Sequence, residues 1–296
     1  MTREASRRPH GRQGGRLKLP GAEPIIIVEH LRAEFGDNLI FRDVSFQVRR
    51  GEIFVILGGS GCGKTTLLKH LVGLYRPSAG RVVVNGVDIV AQDPEEMDRL
   101  RRGTGMLFQA GALFGSMTLA ENIALPLQKY TQLPGSLIDL IVRMKLSLVN
   151  LSGFENHLPE EISGGMKKRA GLARAMALDP AILFFDEPSA GLDPVSAVEL
   201  DLLIRWLNAA LGTTMVIVTH ELQSIYLIAD RIIMLDKEAK GIIAEGDPRV
   251  LRDTATDPKV ASFFQRQPMG EEYQRLAHKL QLSNQPVEAP GCAGGA

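Results

Sequence analysis

Short polar clusters, each set against an apolar run, could carry chemistry in this 296-residue chain. The most specific is Gly58-Gly59-Ser60-Gly61-Cys62-Gly63-Lys64-Thr65-Thr66, which follows the apolar run 53–57 and precedes a helical pattern over 66–74. Its spacing is G-x-x-x-x-G-K-T in the required setting, strand before and helix after. Glycines let the backbone curl until successive N–H groups point inward around an anion, and the helix N-terminus adds its partial positive charge. Lys64 then sets a point charge between the last two phosphates of a bound polyphosphate, and the Thr65 hydroxyl is a ligand for Mg²⁺. Cys62 fills a variable position of the loop and reads as filler, not as a redox centre.

In Ile182-Leu183-Phe184-Phe185-Asp186-Glu187-Pro188 an apolar strand ends in two acids. That places them at the C-terminal edge of a sheet, where ligands sit in open α/β folds. Asp186 would hold Mg²⁺, directly or through water, and Glu187 would polarise a water for in-line attack on a γ-phosphate. His220 ends the apolar run 215–219 and lands on the same edge. Beside a phosphate it reads as a donor to the γ-phosphate rather than a structural hydrogen-bonder. Gln109 follows the run 106–108, and its amide could ligate the metal or orient water. Ile162-Ser163-Gly164-Gly165-Met166 opens a helix over 167–178. Ser163 can cap it, and the two glycines allow close approach to an anion. This terminus is either an unused cap or a second nucleotide contact.

Such residues need a frame that brings strand ends together. Runs 25–28, 39–48 and 53–57, parted by Phe35-Gly36 and Arg50-Gly51, and the run 81–84 before Asn85-Gly86, predict a small antiparallel layer beside the first buried strand. Strands and helices then alternate. Asp93-Pro94-Glu95-Glu96 starts a helix, and 181–185 has the continuous apolar character of a buried parallel strand. Asp193-Pro194 caps a helix to Leu211, stopped by Gly212, and 214–219 and 231–235 are further strands. The alternation predicts an α/β fold with a mostly parallel sheet. Residues 110–162 lack the rhythm and read as inserted helices and loops. In the tail, Tyr273, Leu276, Ala277 and Leu280 stand at helical spacing within 271–282. This short amphipathic stripe would pack on its own domain or on a partner.

Composition narrows the classes. Hydrophobic residues make up 45 % and charged residues 23 %, which excludes collagen-like, coiled-coil and wholly disordered chains. No run approaches the ~18 apolar residues of a membrane helix, so work at a membrane requires a partner. Two cysteines, Cys62 and Cys292, make neither a disulfide scaffold nor a four-cysteine zinc site. Without a secretory leader pattern they fit a reducing cytosol. Formal net charge is zero, yet Arg3, Arg7, Arg8, Arg12, Arg16 and Lys18 face Glu4 alone at the start of the chain. Residues 1–23 therefore read as a basic solvated arm, with anionic lipid headgroups as its alternative contact. The remainder is net acidic, so nucleic acid is not an expected partner.

In their order, these motifs resemble the ATP-binding cassette (ABC) ATPases. The Walker A loop is 58–65, the glutamine loop Gln109, the signature 162–166, and the Walker B run 182–186 with Glu187 after it. Ser189-Ala190-Gly191-Leu192-Asp193 is similar to the D-loop and Thr219-His220 to the switch histidine. The resemblance implies a P-loop NTPase ABC cassette over 24–264, with a RecA-like parallel-sheet core, an antiparallel β layer and a helical subdomain at 110–178. Residues 265–296 would form a C-terminal extension. It implies ATP and Mg²⁺ as cofactors, with Glu187, His220, Gln109 and Lys64 in catalysis. The metal ligands would be Thr65, Gln109 and Asp186. Nucleotide contacts would come from Phe35 (stacked on adenine, or else a plain turn phenylalanine), Gly58 to Thr66, Ser163, Gly164, Gly165 and Asp193. It also implies a head-to-tail dimer in which each Ser163–Gly165 terminus closes on the other copy's ATP, and membrane permease subunits contacting 115–127.

The family signature usually ends in Gln, whereas Met166 stands here. Met166-Lys167-Lys168-Arg169 and Asp257-Pro258-Lys259-Val260 resemble the Mla/Mce-type ATPases, which move phospholipids between bacterial membranes. On that resemblance the chain is expected on the cytoplasmic face of the inner membrane, with permease subunits, a small cytoplasmic accessory subunit and an MCE-type substrate-binding subunit as partners. The alternatives are another cargo (amino acid, peptide or metal complex) or a non-transport regulatory ABC ATPase.

Overall fold

The computed structural model describes residues 23–91 and 93–265. The basic arm up to residue 22, the Tyr273/Leu276/Ala277/Leu280 stripe and Cys292 lie outside the described residues. Strand β1 (Pro24–Phe35) turns at Gly36 into β2 (Asn38–Arg49). β1 is three times the length of the predicted run. A register shift between Val28 and Leu31, with His30 at φ +50°, resets the in–out alternation, so that Val28, Leu31 and Ala33 all face inward. Strand β3 (Ile53–Gly58) enters the glycine loop and α1 (Lys64–Leu71) leaves it. This helix starts and stops two to three residues before the predicted 66–74, because Gly63 already serves as its N-cap and Gly73 at φ +73° ends it.

Then follow β4 (Ala79–Val84), β5 (Val87–Asp88), α2 (Pro94–Gly103) and β6 (Thr104–Leu107). Asp93 accepts the Glu95 and Glu96 N–H groups, as its type and position predict. The region 110–178 holds α3 (Leu119–Tyr130), α4 (Gly135–Leu148), a 3₁₀ turn (Pro159–Glu161) and α5 (Gly164–Ala175). Strand β7 (Ile182–Asp186), α6 (Pro194–Leu211), β8 (Thr214–Val218), α7 (Leu222–Ile228) and β9 (Arg231–Asp236) restore the alternation. Strand β10 (Gly241–Gly246), α8 (Pro248–Thr254) and α9 (Pro258–Gln265) complete it. Among the described residues no helix is long and apolar enough to cross a membrane.

Two sheets result. A four-stranded antiparallel sheet runs β2-β1-β4-β5, and a six-stranded sheet runs β10-β9-β3-β8-β7-β6, parallel except for the edge strand β10. Alternation along the central strands divides the core. Phe54, Ile56 and Phe184 face α1 and the antiparallel sheet, while Val55, Leu57 and Phe185 face the helices of the other layer. Burial on both faces is why these strands read as unbroken apolar runs. One of the contacts joining the inserted helices to the sheet is especially close. A Cβ on Gly105 of β6 would stand 2.1 Å from the Ala175 carbonyl oxygen at the end of α5, so only glycine fits there.

Candidate functional site

Four neighbouring parallel strands, β3, β8, β7 and β6, end on one edge of the sheet. Pairing sets Ile56 against Val218, Val218 against Asp186, and Phe185 against Leu107. The glycine loop, His220, Asp186-Glu187 and Gln109 therefore stand in strand order along one crevice.

Backbone shape in the loop is fixed by its glycines. Gly63 sits at φ +99°, and a Cβ there would lie 2.7 Å from the Phe41 ring. Gly58 sits at φ +147°, 2.4 Å by the same measure from the Leu235 carbonyl oxygen. Ser60 and Gly61 are exposed at the loop tip, and Thr66 is half-buried in the first turn of α1. Lys64 Nζ donates to the carbonyls of Gly58 (2.8 Å) and Gly59 (3.2 Å), lying across its own loop. Cys62 turns its side chain into the core, and its N–H is spent on the Gly59 carbonyl. Burial pushes its thiol up, with Lys64 pulling the other way, which suits filler rather than redox chemistry.

The Thr65 hydroxyl donates to Asp186 Oδ1 at 3.3 Å. Asp186 is buried at the end of β7, and its carboxyl is held above the usual range by that burial. The Thr65 bond opposes the rise and the neighbouring Glu187 adds to it. A hydroxyl facing a buried carboxylate is the hard-oxygen pair that Mg²⁺ takes from a protein when phosphates supply further ligands. Among the described residues no three His, Cys, Asp or Glu side chains gather to hold an ion by themselves. The Gln109 side chain is exposed and is not hydrogen-bonded to this pair.

Glu187 adopts φ +48°, a left-handed conformation that costs a non-glycine residue on the order of 1 kcal/mol. The turn is held by its own N–H on the Val218 carbonyl at 2.9 Å. It delivers the carboxylate to His220, whose Nδ1 lies 3.0 Å from Oε1 and 2.8 Å from Oε2. The other ring nitrogen is 3.6 Å from Glu221 Oε1.

Other expected site residues form a separate group at two helix starts. Ser163 accepts the Met166 N–H at 3.3 Å as N-cap of α5. A Cβ on Gly164 or Gly165 would meet only ordinary neighbours, Leu192 at 3.8 Å and Ser196 at 3.7 Å. Asp193 is the N-cap of α6, accepting from Val195 and Ser196. Its carboxyl is held low chiefly by the Ser196 hydroxyl. Phe35, 47 % exposed at the end of β1, packs edge-on against Tyr75 with ring centres 5.2 Å apart. Among the described residues no hydrogen bond joins Phe35, Ser163 or Asp193 to the Lys64–Asp186–Glu187 group.

Two residues have roles that local pattern does not reveal. In the sequence Lys168 is one member of a basic stretch. It is buried on α5 and donates to the Gln109 carbonyl and, at 3.4 Å, to the Glu187 carbonyl. Burial lowers its pKa, while the charges of Glu187 and Asp186 hold it up. Asn122 is fully buried on α3 and bonds Phe114, Met117 and Thr118, pinning the loop that leads away from Gln109. A polar residue between the core-facing Leu119 and Ile123 was the signal available for it.

Comparison with known proteins agrees with this geometry. The family model described as ABC transporter matches residues 41–190. The probable ribonucleotide transport ATP-binding protein mkl of Mycobacterium leprae is 42 % identical over 274 residues, covering 92 % of this chain and 78 % of that protein. The intermembrane phospholipid transport system ATP-binding protein MlaF of Escherichia coli is 43 % identical over 230 residues, 77 % and 84 % of the two chains. Among solved structures, a dimeric post-hydrolysis state of the ATP-binding cassette MJ0796 bound to ADP and Pi superposes with TM-score 0.67 at 29 % identity, covering 75 % and 98 %. The cbiO1 protein of Clostridium perfringens, part of an ABC transporter complex, gives TM-score 0.71 at 26 % identity, covering 87 % and 99 %.

Proposed function

This chain belongs to the ABC transporter family as an ATP-hydrolysing subunit of a transport complex, and from that premise we propose that two copies sandwich two MgATP molecules to drive phospholipid movement between membranes. One observation carries the sandwich. The paired glycines at the start of α5 meet nothing inside their own copy that requires glycine, and without side chains they leave the N–H groups of that helix start open to close approach. A partner's phosphate, approached closely by backbone N–H groups at a helix N-terminus, supplies the missing reason. The cassette MJ0796, similar in fold, is dimeric.

Chemistry then follows from the crevice. Lys64 exchanges the Gly58 and Gly59 carbonyls for β- and γ-phosphate oxygens. Glu187 takes the proton of a water lined up with the γ-phosphate, a role its carboxylate fills when ionised. His220, seated against both Glu187 oxygens, orients that carboxylate and donates toward the γ-phosphate. Thr65 and Asp186 hold Mg²⁺, which when bound neutralises charge on the phosphates. Lys168 couples the backbone at Gln109 to the backbone at Glu187, so movement of the inserted helices reaches the water-activating residue. Docking to permease subunits would run through 115–127, and peripheral attachment at the cytoplasmic face of the inner membrane follows from it.

The phospholipid cargo is supported by the MlaF relatives and by the resemblance of the Met166-to-Arg169 stretch. The mkl relative, which covers 92 % of the chain, is named for ribonucleotide transport, so ribonucleotide cargo is the second reading. Mass spectrometry of small molecules co-purified with the membrane-bound complex decides between them. For the sandwich, Ser60→Cys and Ser163→Cys are placed in a Glu187→Gln chain whose native cysteines are replaced by Ala. MgATP should raise disulfide crosslinking between copies at least tenfold. Equal crosslinking with and without MgATP contradicts the closed dimer.

A further inference from the structure

Beside the glycine loop lies a cavity of about 200 Å³ lined by Asn38, Ile40, Gly61, Cys62, Lys237 and Lys240. It sits on the β9 flank of β3, opposite the β8–β7 flank that carries His220 and Glu187. Three segments meet there: the start of β2, the loop tip and the β9–β10 turn. They are fixed to one another by the Arg42 N–H on the Lys240 carbonyl at 2.8 Å and by the close approach of Leu235 to Gly58.

Charge in this turn is unevenly matched. Lys259 of α9 takes both acids, Asp236 at 2.8 Å and Glu238 at 2.7 Å. The second Asp236 oxygen accepts the N–H groups of Glu238 and Ala239. Among the described residues, the ammonium groups of Lys237 and Lys240 have neither hydrogen bond nor ion pair. A cavity with two unmatched cations, an amide and no carboxylate is selective for an anion. Its volume corresponds to roughly seven waters, room for a phosphate and part of a sugar but not a whole nucleotide. Asn38 pairs across the hairpin with Phe35, so the exposed ring and the cavity lie at the same end of the crevice.

We propose that Lys237 and Lys240, with Asn38, bind the α-phosphate and ribose of the nucleotide whose β- and γ-phosphates occupy the glycine loop. The inference rests on the phosphate-loop reading above and assigns the remaining part of the same ligand. With the γ-phosphate directed at Glu187 on one flank, the nucleoside end leaves by the other. Lys237 and Lys240 then set affinity for the bound nucleotide, and take no part in activating water.

The test titrates ATP, ADP and inorganic phosphate against the full chain, a Lys237→Gln/Lys240→Asn variant and a Lys237→Arg/Lys240→Arg variant. Asparagine tolerates the left-handed backbone at position 240, where φ is +52°. Loss of two partly exposed charge contacts should weaken ATP and ADP binding by about five- to tenfold. Binding should also become less dependent on salt, and the arginine pair should restore most of the affinity. Unchanged ATP and ADP affinity in the Gln/Asn variant overturns the proposal. So does weaker phosphate binding with ATP and ADP unaffected, which would mark an independent anion site, or weaker binding that arginine does not rescue. Lys64→Ala serves as the separate control. If it binds ATP normally the phosphate-loop reading itself fails, whatever the lysine pair does.

Discussion

Asp201 is a carboxyl in the wrong solvent, and replacing it with asparagine should stabilise the protein. It lies on α6 against α7, 1 % exposed, with one oxygen lacking a partner among the described residues. Burial pushes its pKa from 3.8 to about 6, the Ser224 hydroxyl opposing and Glu221 adding to the rise. That displacement corresponds to about 3 kcal/mol of folding free energy withheld at neutral pH. The sign is set by proton binding. Between the two values the folded chain holds the proton and the unfolded chain does not, so wild-type stability falls as pH rises through that window. Asparagine needs no proton. Allowing for an amide hydrogen bond that the site cannot complete, Asp201→Asn should be more stable by about 2 kcal/mol at pH 7.5. The advantage should shrink by about 1.4 kcal/mol per pH unit from pH 6 toward pH 4. Denaturant unfolding of both chains across that range reads it out. A difference that does not vary with pH, or a variant weaker than wild type at pH 7.5, refutes the reasoning.

Three further outcomes are expected. Lys168→Met removes a buried charge along with its bonds to the Gln109 and Glu187 carbonyls; desolvation relief offsets the lost bonds, so unfolding should shift by about 1 kcal/mol or less. Turnover of the complex should nevertheless drop at least about tenfold, equivalent to 1.4 kcal/mol of barrier, and steady-state ATPase measurements would show otherwise if the clamp were idle. Gly63→Ala forces a Cβ into the Phe41 ring at positive φ and should cost more than about 2 kcal/mol, whereas Gly59→Ala, with nothing within 4 Å, should leave the melting temperature within about 1 °C. Glu187→Gln should retain MgATP binding and reduce hydrolysis by about 10²-fold or more, and a variant with normal turnover removes Glu187 from its role.

Much of the fold was legible because the central strands are buried on both faces. Residues 53–57 and 181–185 are uniformly apolar because a central parallel strand presents both of its faces to core. Caps were equally readable, since Asp93, Ser163 and Asp193 bond the N–H groups their positions predict. What local pattern could not show were facts of tertiary approach. The part of β1 beyond Val28 is hidden because a bulge breaks its period, and β10, α8 and α9 are short elements whose stability comes from contacts such as Lys259 on the β9–β10 turn. Site residues that end strands could be listed from sequence, because parallel topology alone collects them. Lys168 could not, since its two acceptors are carbonyls separated from it by 59 and 19 positions.

The contact at Gly105 has a mechanical consequence. With the carbonyl of Ala175 seated where a side chain would otherwise stand, the rear of α5 is bolted to the sheet while its front carries the Ser163 cap. A swing of the inserted helices is most restricted at that rear end, where backbone meets backbone. A lever of twelve residues, about 18 Å long, converts a tilt of a few degrees into roughly an ångström of travel at the tip. In the proposed sandwich that travel is enough to make or break the hydrogen bonds between the α5 terminus and the partner's ATP.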